Sequence, residues 1–190
     1  LPVHSVAEFI AYAKANPGKL TYGSIGVGSS THLAGEMMAM MAGIEMVHVP
    51  FKGSAPGVIA LVGGQIDLSF ATMAVTLPQL NAGRILALAV TSPQRYPTLA
   101  EVPTFAESGL PGYDVTSWYG ISLPAGTPQP IVNQLNAATN KALKAPGMKE
   151  KMENLGLEIV GSNRAELDKF RAEQRKSITE IVRISGVDVK

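Results

Sequence analysis

The chain has 190 residues, of which 46% are hydrophobic and 16% are charged, a composition typical of a globular α/β protein. Sixteen Lys and Arg residues against fifteen Asp and Glu residues give a net charge of +1, without the basic excess of a nucleic-acid-binding domain. The absence of cysteine excludes disulfide bonds, thiolate nucleophiles and cysteine-type zinc sites. No apolar stretch approaches the ~20 residues that span a bilayer. Because the sequence starts with Leu1 rather than Met, we expect a processed, trimmed or partial chain.

Helix and strand signals alternate along the first 112 residues. Ser5 and Glu8 form a capping box, which predicts a helix that ends at Pro17 and Gly18. The remaining predicted helices are 31–42, 55–62, 77–81 and 104–109, and the predicted strands are 20–24, 45–51, 66–70 and 85–90. This βαβα order predicts a mostly parallel sheet with helices on both faces.

The pattern changes after Gly112. Residues 113–123 predict one long strand, which is long enough to pass from one lobe to another. Thr127 is then a predicted N-cap, with Pro128 at the first helical position. The rest is predicted to be mainly helical, with helices 128–144, 148–155 and 165–185 and one strand, 157–160. We therefore expect a lobe boundary near Thr116, dividing the chain into 1–116 and 117–190. The second segment is predicted to have too few strands for a sheet of its own, so its missing strands should come from elsewhere.

The first candidate binding site is the loop from Ser24 to His32, which joins a predicted strand to a predicted helix. Its glycines, Gly26 and Gly28, allow successive backbone N–H groups to face one concavity. The helix N-terminus adds unpaired N–H groups and a partial positive charge, so the loop could bind a carboxylate or a phosphate, with hydroxyl groups from Ser29 and Ser30. The alternative is an ordinary turn in which Ser30 caps the helix, and the sequence leaves both open.

Two further turns follow predicted strands and should lie at the same edge of a parallel sheet, where ligands bind. In the first, Lys52 and Gly53 precede Ser54, a predicted N-cap, and Lys52 could neutralise a carboxylate or be an ordinary solvated lysine. In the second, Ala71 and Thr72 could shape the site and donate a hydrogen bond.

Motifs of the common enzyme classes are missing. The chain contains no complete GxGxxG, no GxxxxGK[ST], no GxSxG and no HExxH sequence. The histidines His4, His32 and His48 are far apart without metal-ligand spacing, and Ser30 and His32 should diverge on the first helical turn. We therefore expect no catalytic residue, no metal and no cofactor.

A series of motifs extends in order over nearly the whole chain: NPGKLTYGS at 16–24, GVGSSTHLAGE at 26–36, HVPFKG at 48–53, GGQID at 63–67, GRILALAV at 83–90, VPTFAE at 102–107 and LPAGTP at 123–128. This series resembles the Bug receptors, the TctC-type solute-binding proteins of tripartite tricarboxylate transporters.

The resemblance implies a fold and a site. The fold is an α/β periplasmic-binding-protein-like fold of type II, the two-lobed Venus flytrap, with a mainly parallel sheet and flanking helices; here the first lobe is expected to be incomplete. Residues 1–116 would form lobe two, and 117–190 the crossing strand, with Trp118 and Tyr119 at the hinge, plus the C-terminal part of lobe one. The loop from Ser24 to His32 would grip a carboxylate, with the Lys52–Gly53 and Ala71–Thr72 turns beside it.

The resemblance also implies a function. The protein would capture a small mono-, di- or tricarboxylate in the periplasm and deliver it to the membrane permease components of a tripartite tricarboxylate transporter, without catalysis. The alternative is a ligand-sensing domain with the same fold, acting in transcriptional regulation or presenting its ligand to a sensor kinase.

This sequence departs from the family pattern in two places. Family members begin with a further N-terminal segment, so this chain is cut or partial, or a partner supplies the missing strands. Many members carry an acidic or amide pair where this chain has Ala71 and Thr72. The lack of a carboxylate there argues against an amino-acid ligand and favours a plain mono- or dicarboxylate, aromatic ones included.

Overall fold

The computed structural model describes residues 1–185 and divides the chain into two compact units. The first unit comprises Leu1–Thr116 and the C-terminal segment that begins at Ile178, and the second unit comprises Ser117–Ser177. The lobe boundary predicted near Thr116 falls at the same point, but the C-terminal segment is predicted to belong to the other lobe. The identification of the two units with flytrap lobes stays a prediction.

The first unit holds all three strands that the described residues form. In chain order its elements are α1 (Val6–Ala15), β1 (Thr21–Ser24), α2 (Ser30–Ala42), β2 (Val47–Pro50), α3 (Ser54–Val62), β3 (Leu68–Ser69), α4 (Met73–Asn81) and a 3-10 turn (Pro97–Leu99). The remaining helices are α5 (Gln129–Leu143), α6 (Met148–Asn154) and α7 (Arg164–Ser185). No helix within residues 1–185 combines the length and the apolar character needed to cross a membrane.

The sheet is parallel, with the strand order β2-β1-β3. The Asp67 carboxylate fixes the start of the central strand, since it accepts hydrogen bonds from the Thr21 backbone N–H at 2.9 Å and from the Thr21 hydroxyl at 3.0 Å. Each strand leads into a helix, so the predicted parallel α/β architecture is confirmed, and the carboxyl ends of all three strands lie at one edge.

The core of the first unit lies where α1, β1 and α2 meet an aromatic segment near residues 105–113. The predicted capping box of α1 is present, because the Glu8 N–H donates to the Ser5 hydroxyl at 3.2 Å and the helix then buries Phe9 completely. Tyr113 is also fully buried, and its hydroxyl donates to the Ala34 carbonyl of α2 at 2.8 Å. Aromatic side chains thus fix the position of α2, which follows the first candidate loop.

Three predicted strands are wrong. Residues 85–90, 113–123 and 157–160 have no strand conformation apart from an isolated bridge between Val90 and Thr104. In segment 113–123, the Val115 N–H donates a hydrogen bond to the Thr91 carbonyl at 3.0 Å. The side chains of Tyr119 and Ile121 in the same segment are exposed. A strand requires hydrogen bonds to a neighbouring strand along its length, and these segments lack them within the described residues.

Several predicted helix starts also shift. The Thr104–Glu107 capping box forms, with the Glu107 N–H donating to the Thr104 hydroxyl at 3.0 Å, but it closes a turn rather than a helix. Thr127 is not the cap of α5, because Pro128 occupies that position and the Thr127 hydroxyl donates to the Pro124 carbonyl at 2.8 Å. The helix predicted at 77–81 is longer than expected and begins at Met73.

Candidate functional site

The three candidate loops meet at the carboxyl edge of the sheet. The parallel register pairs Ser24 with Pro50 and Gly23 with Ser69, so the strands end beside one another. Backbone hydrogen bonds continue past the strand ends, where the Phe51 N–H donates to the Ser24 carbonyl at 2.9 Å. The ten predicted site residues therefore lie on adjacent loops: Ser24, Gly26, Gly28, Ser29, Ser30 and His32 after β1, Lys52 and Gly53 after β2, and Ala71 and Thr72 after β3. Contact between these residues and a ligand stays a prediction.

Hydrogen bonds within the loop itself define the conformation of residues 24–32. The N–H of Ile25 donates to the Thr31 hydroxyl at 2.9 Å, and the N–H of Gly26 donates to the Ser24 hydroxyl at 3.0 Å. Gly26 and Gly28 have φ values of 131° and 74°, a region that only glycine adopts without strain. Hydrogen bonds between loop atoms thus define the shape of the loop, and they use several of the N–H groups that the sequence predicts to bind an anion.

Ser29 is the N-cap of α2, and the predicted cap, Ser30, is instead the first helical residue. The Ser29 hydroxyl accepts a hydrogen bond from the His32 N–H at 3.2 Å and donates to the Gly26 carbonyl at 2.6 Å. It also contacts the Thr31 hydroxyl at 3.0 Å. The Ser29 hydroxyl thus donates its proton to another atom of the loop, and the Ser29 side chain stabilises the loop.

The second and third loops are linked to each other. Gly53, with φ 109°, is the N-cap of α3, and the predicted cap, Ser54, is the first residue of that helix. The Ser54 hydroxyl accepts hydrogen bonds from the Thr72 hydroxyl at 3.2 Å and from the Thr72 N–H at 3.5 Å. Thr72 is itself the N-cap of α4, next to the half-buried Ala71, whereas Lys52 is exposed.

The electrostatic character of this edge comes mainly from helix ends. The helices α2, α3 and α4 all begin here, and the positive end of each helix dipole therefore lies at the same edge. None of the three has an acidic residue in its first turn. Their positive partial charges are therefore not offset by acidic residues of the same helix turns, and the exposed side chain of Lys52 adds a basic group beside them.

Sequence reasoning missed a histidine pair next to the first loop. The rings of His32 and His48 stack with centroids 3.9 Å apart and planes inclined by 21°, and the Tyr22 ring stacks on His48 at 5.0 Å. His48 Nε2 lies 2.6 Å from the Ser24 hydroxyl oxygen, and the Gly28 N–H donates to His32 Nδ1 at 3.1 Å. The register that pairs Tyr22 with His48 across β1 and β2 was the available signal, but it depends on knowing the sheet order.

Burial sets the protonation of this pair. It lowers the pKa of His32 below its ordinary value of 6.5, and the nearby Glu36 carboxylate acts in the opposite direction. Burial is also the main cause of the lowered pKa of His48, and a charge on His32 lowers it further. The Glu36 carboxylate acts in the opposite direction and raises the pKa of His48. Within residues 1–185, no group of three His, Asp or Glu side chains is placed to hold a metal ion.

Comparison with models of protein families gives a match over nearly the whole chain. Residues 1–187 match the model of the tripartite tricarboxylate transporter family receptor, TctC. The chain belongs to this family. A curated TctC relative, the UPF0065 protein in the tcbD-tcbE intergenic region of a Pseudomonas species, is 41% identical over 173 residues, which is 90% of this chain and 52% of that protein. The chain spans about half the length of the curated relatives it matches.

Solved TctC-like structures share its fold. An R. palustris protein with adipate superposes with a TM-score of 0.93 at 36% identity, over 98% of this chain and 62% of that one. The periplasmic binding protein BugD gives 0.90 at 34% identity, over 99% and 64%. MatC from Rhodopseudomonas palustris with bound malate gives 0.80 at 29% identity, over 97% and 63%. The predicted family and fold class are confirmed: this TctC chain has the α/β fold of periplasmic solute-binding proteins.

Proposed function

We propose that this protein is a periplasmic receptor that binds a small mono-, di- or tricarboxylate and delivers it to the permease components of a tripartite tricarboxylate transporter. The observation that carries the proposal is the convergence of three helix N-termini, without acidic residues in their first turns, at one sheet edge. Backbone N–H groups and helix dipoles at such an edge favour an anion. Receptors of this kind bind and release their ligand, so no chemical step is required.

The internal hydrogen bonds of the first loop separate two roles among its residues. Ser24, Ser29 and His32 would hold the loop, because their polar atoms face loop atoms. None of the loop hydrogen bonds described above uses the backbone N–H groups of Val27 and Thr31, and we assign these two groups to a ligand oxygen. The carboxylate would thus contact backbone donors in a loop shaped by Gly26 and Gly28, beside Lys52.

The third loop bears on the kind of carboxylate. Ala71 and Thr72 offer no negative charge that could pair with the ammonium group of an amino acid. Adipate and malate, the ligands named for two related structures, are dicarboxylates without an ammonium group. Both observations favour a plain carboxylate over an amino acid.

Thermal unfolding in the presence of different ligand classes tests the proposal. We expect carboxylates, with adipate, malate, citrate and benzoate as probes, to stabilise the protein by about 2.7 kcal/mol at a concentration 100 times the dissociation constant. Glutamate and aspartate should stabilise it less than their ammonium-free counterparts. Stabilisation by sugars or nucleotides, with none from any carboxylate, would contradict the proposal.

Replacing Ser29 by alanine tests the supporting role of the loop side chains. The change removes an N-cap and the hydrogen bond to Gly26, so we expect the free energy of unfolding to fall by about 1–2 kcal/mol. Carboxylate affinity should fall by about tenfold, which corresponds to about 1.4 kcal/mol. Chemical denaturation and calorimetric titration provide the two measurements.

Ser5→Ala is the matched control, because Ser5 caps α1 by the same kind of hydrogen bond but lies in no candidate loop. It should lose about 1 kcal/mol of stability and keep its carboxylate affinity. Equal affinities in the two variants would show that Ser29 is an ordinary cap.

A further inference from the structure

The histidine pair, His32 and His48, contacts the first candidate loop, residues 24–32, in two places. His32, on the first turn of α2, accepts the Gly28 N–H through Nδ1 at 3.1 Å. His48, on β2, approaches the Ser24 hydroxyl through Nε2 at 2.6 Å. The ring centroids are 3.9 Å apart, so the two contacts come from one stacked pair of rings. This pair stabilises residues 24–28 through Ser24 and Gly28.

The contact between Gly28 and His32 depends on the protonation state of the ring. A histidine nitrogen accepts a hydrogen bond only when it carries no proton. The Gly28 N–H therefore assigns the neutral form of His32, with its proton on Nε2, 3.6 Å from the Glu36 carboxylate. A protonated His32 would present Nδ1–H to the Gly28 N–H, and two donors cannot bond to each other.

The titratable groups against the pair come from three elements. On β1, the Tyr22 ring stacks on His48, and its hydroxyl donates to Glu36 at 2.5 Å. On α2, Glu36 is the acidic group and favours a charged histidine, whereas a charge on His32 lowers the pKa of His48 on β2. The ring centroids of His32 and His48 are only 3.9 Å apart. A positive charge on either ring therefore makes protonation of the other ring unfavourable.

We propose that His32 and His48 are positioning residues that make carboxylate capture sensitive to protons: the neutral pair holds the loop through Gly28 and Ser24, and a proton on His32 releases Gly28 and weakens ligand binding. The part that concerns the ligand rests on the proposed carboxylate-binding function. The part that concerns the loop does not, and it can be measured without a ligand.

The sign of the pH effect follows from the lowered pKa values. Each histidine is neutral in the folded protein at a pH where it would begin to take a proton in the unfolded chain, near 6.5. Stability therefore falls as the pH drops below 6.5, down to the lowered pKa of the folded state. Below that folded-state pKa, His32 takes up a proton, and the loop loses the Gly28 contact.

The ligand-free wild-type protein provides the first test. NMR titration from about pH 8 to about pH 4, on both sides of the ordinary histidine pKa, follows the His32 ring and the hydrogen-exchange protection of the Gly28 amide. We expect the protection of Gly28 to disappear in step with protonation of His32. A Gly28 amide that stays protected while His32 takes up a proton would overturn the inference.

Two substitutions of His32 separate its role as acceptor of the Gly28 N–H from its uptake of a proton. In His32→Asn the side-chain oxygen can occupy the position of Nδ1, so the loop should be held at every pH and the pH dependence should disappear. In His32→Phe the ring remains but the acceptor is lost, so Gly28 should be unprotected at every pH. His4→Asn changes an exposed histidine away from the loop and should leave the profile unchanged.

Affinity for adipate, malate and citrate, measured over the same pH range, connects the loop to binding. In the wild type, the dissociation constant should rise by up to about tenfold for each pH unit below the pKa of His32. Protonation of the ligand itself is common to all variants, so a flatter profile in His32→Asn isolates the histidine. Identical profiles in the wild type and His32→Asn would refute proton-linked capture. Absence of binding by any carboxylate would refute the proposed function and the capture part with it, while the Gly28 measurement would still decide the loop part.

Discussion

Gly35→Ala is expected to lower the free energy of unfolding by about 1–3 kcal/mol. A Cβ atom at this position of α2 would lie 2.7 Å from Cδ2 and Cζ of Tyr22, closer than real contacts allow. Tyr22 is only 1% exposed and is packed between the histidine pair and Phe70, so its ring cannot move aside. The steric cost exceeds the gain of up to about 1 kcal/mol that alanine usually brings to a helix interior. Urea denaturation of the wild type and the variant gives the difference.

Gly57→Ala is the matched control, because Gly57 also lies inside a helix and is buried. Its Cβ would meet the Phe51 ring at 3.4 Å, an ordinary van der Waals distance. This variant should be as stable as the wild type or slightly more stable. If Gly35→Ala were equally harmless, the close packing of α2 on Tyr22 would be contradicted, and with it the fixed position of His32.

Phe9→Ala is expected to cost about 3–5 kcal/mol, the usual range for removing a buried aromatic side chain. Phe9 has no exposed surface and connects α1 to the core of the first unit. A loss of this size is a large share of the ~5–15 kcal/mol that stabilises a typical domain. Thermal and urea denaturation should both show it, with a lower transition midpoint.

Ile59→Ala controls for the general loss of an apolar side chain from a helix. Ile59 is 72% exposed on α3, so its truncation should change stability by no more than about 0.5 kcal/mol. Similar losses in the two variants would argue that α1 does not pack into the core of the first unit as described.

The helices could be predicted from the sequence because their signals are local. The Ser5–Glu8 capping box and the Pro17–Gly18 pair lie at the two ends of the helix that they bound, and α1 spans Val6–Ala15 as a result. Predicted ends differ from the structure where two neighbouring residues can both cap, as with Ser29 and Ser30. In such a pair, the hydrogen bonds that each hydroxyl makes elsewhere decide the choice, and these are not local.

Strands were predicted less well because a strand depends on its neighbours. The segments 85–90 and 113–123 have the apolar character of strands, but character alone does not provide a pairing partner. The three strands that form, β1, β2 and β3, pair with one another in a parallel register. The two edge strands flank β1, and each is followed by a helix as the βαβα order requires.

For the candidate site as well, the sequence predicts which loops lie together but not how single side chains pack. The loops could be placed at one sheet edge from the order of elements, because that argument needs topology alone. The stacking of His32 on His48 could not, since it requires both the register of β2 on β1 and the rotation of α2. The network around Ser29 likewise arises from a backbone shape that glycine at 26 and 28 permits but does not dictate.

The internal hydrogen bonds of residues 24–32 determine when the entropy of ordering this loop is lost. A loop that became ordered only around its ligand would lose that entropy at each binding event, which would reduce the affinity. Here the hydroxyl groups of Thr31, Ser29 and Ser24 hydrogen-bond to other atoms of the loop, so the ordering of the loop is part of folding itself. Under the proposed function, binding of a small carboxylate would therefore lose little affinity to loop ordering, and its association should not wait for a slow rearrangement of the loop.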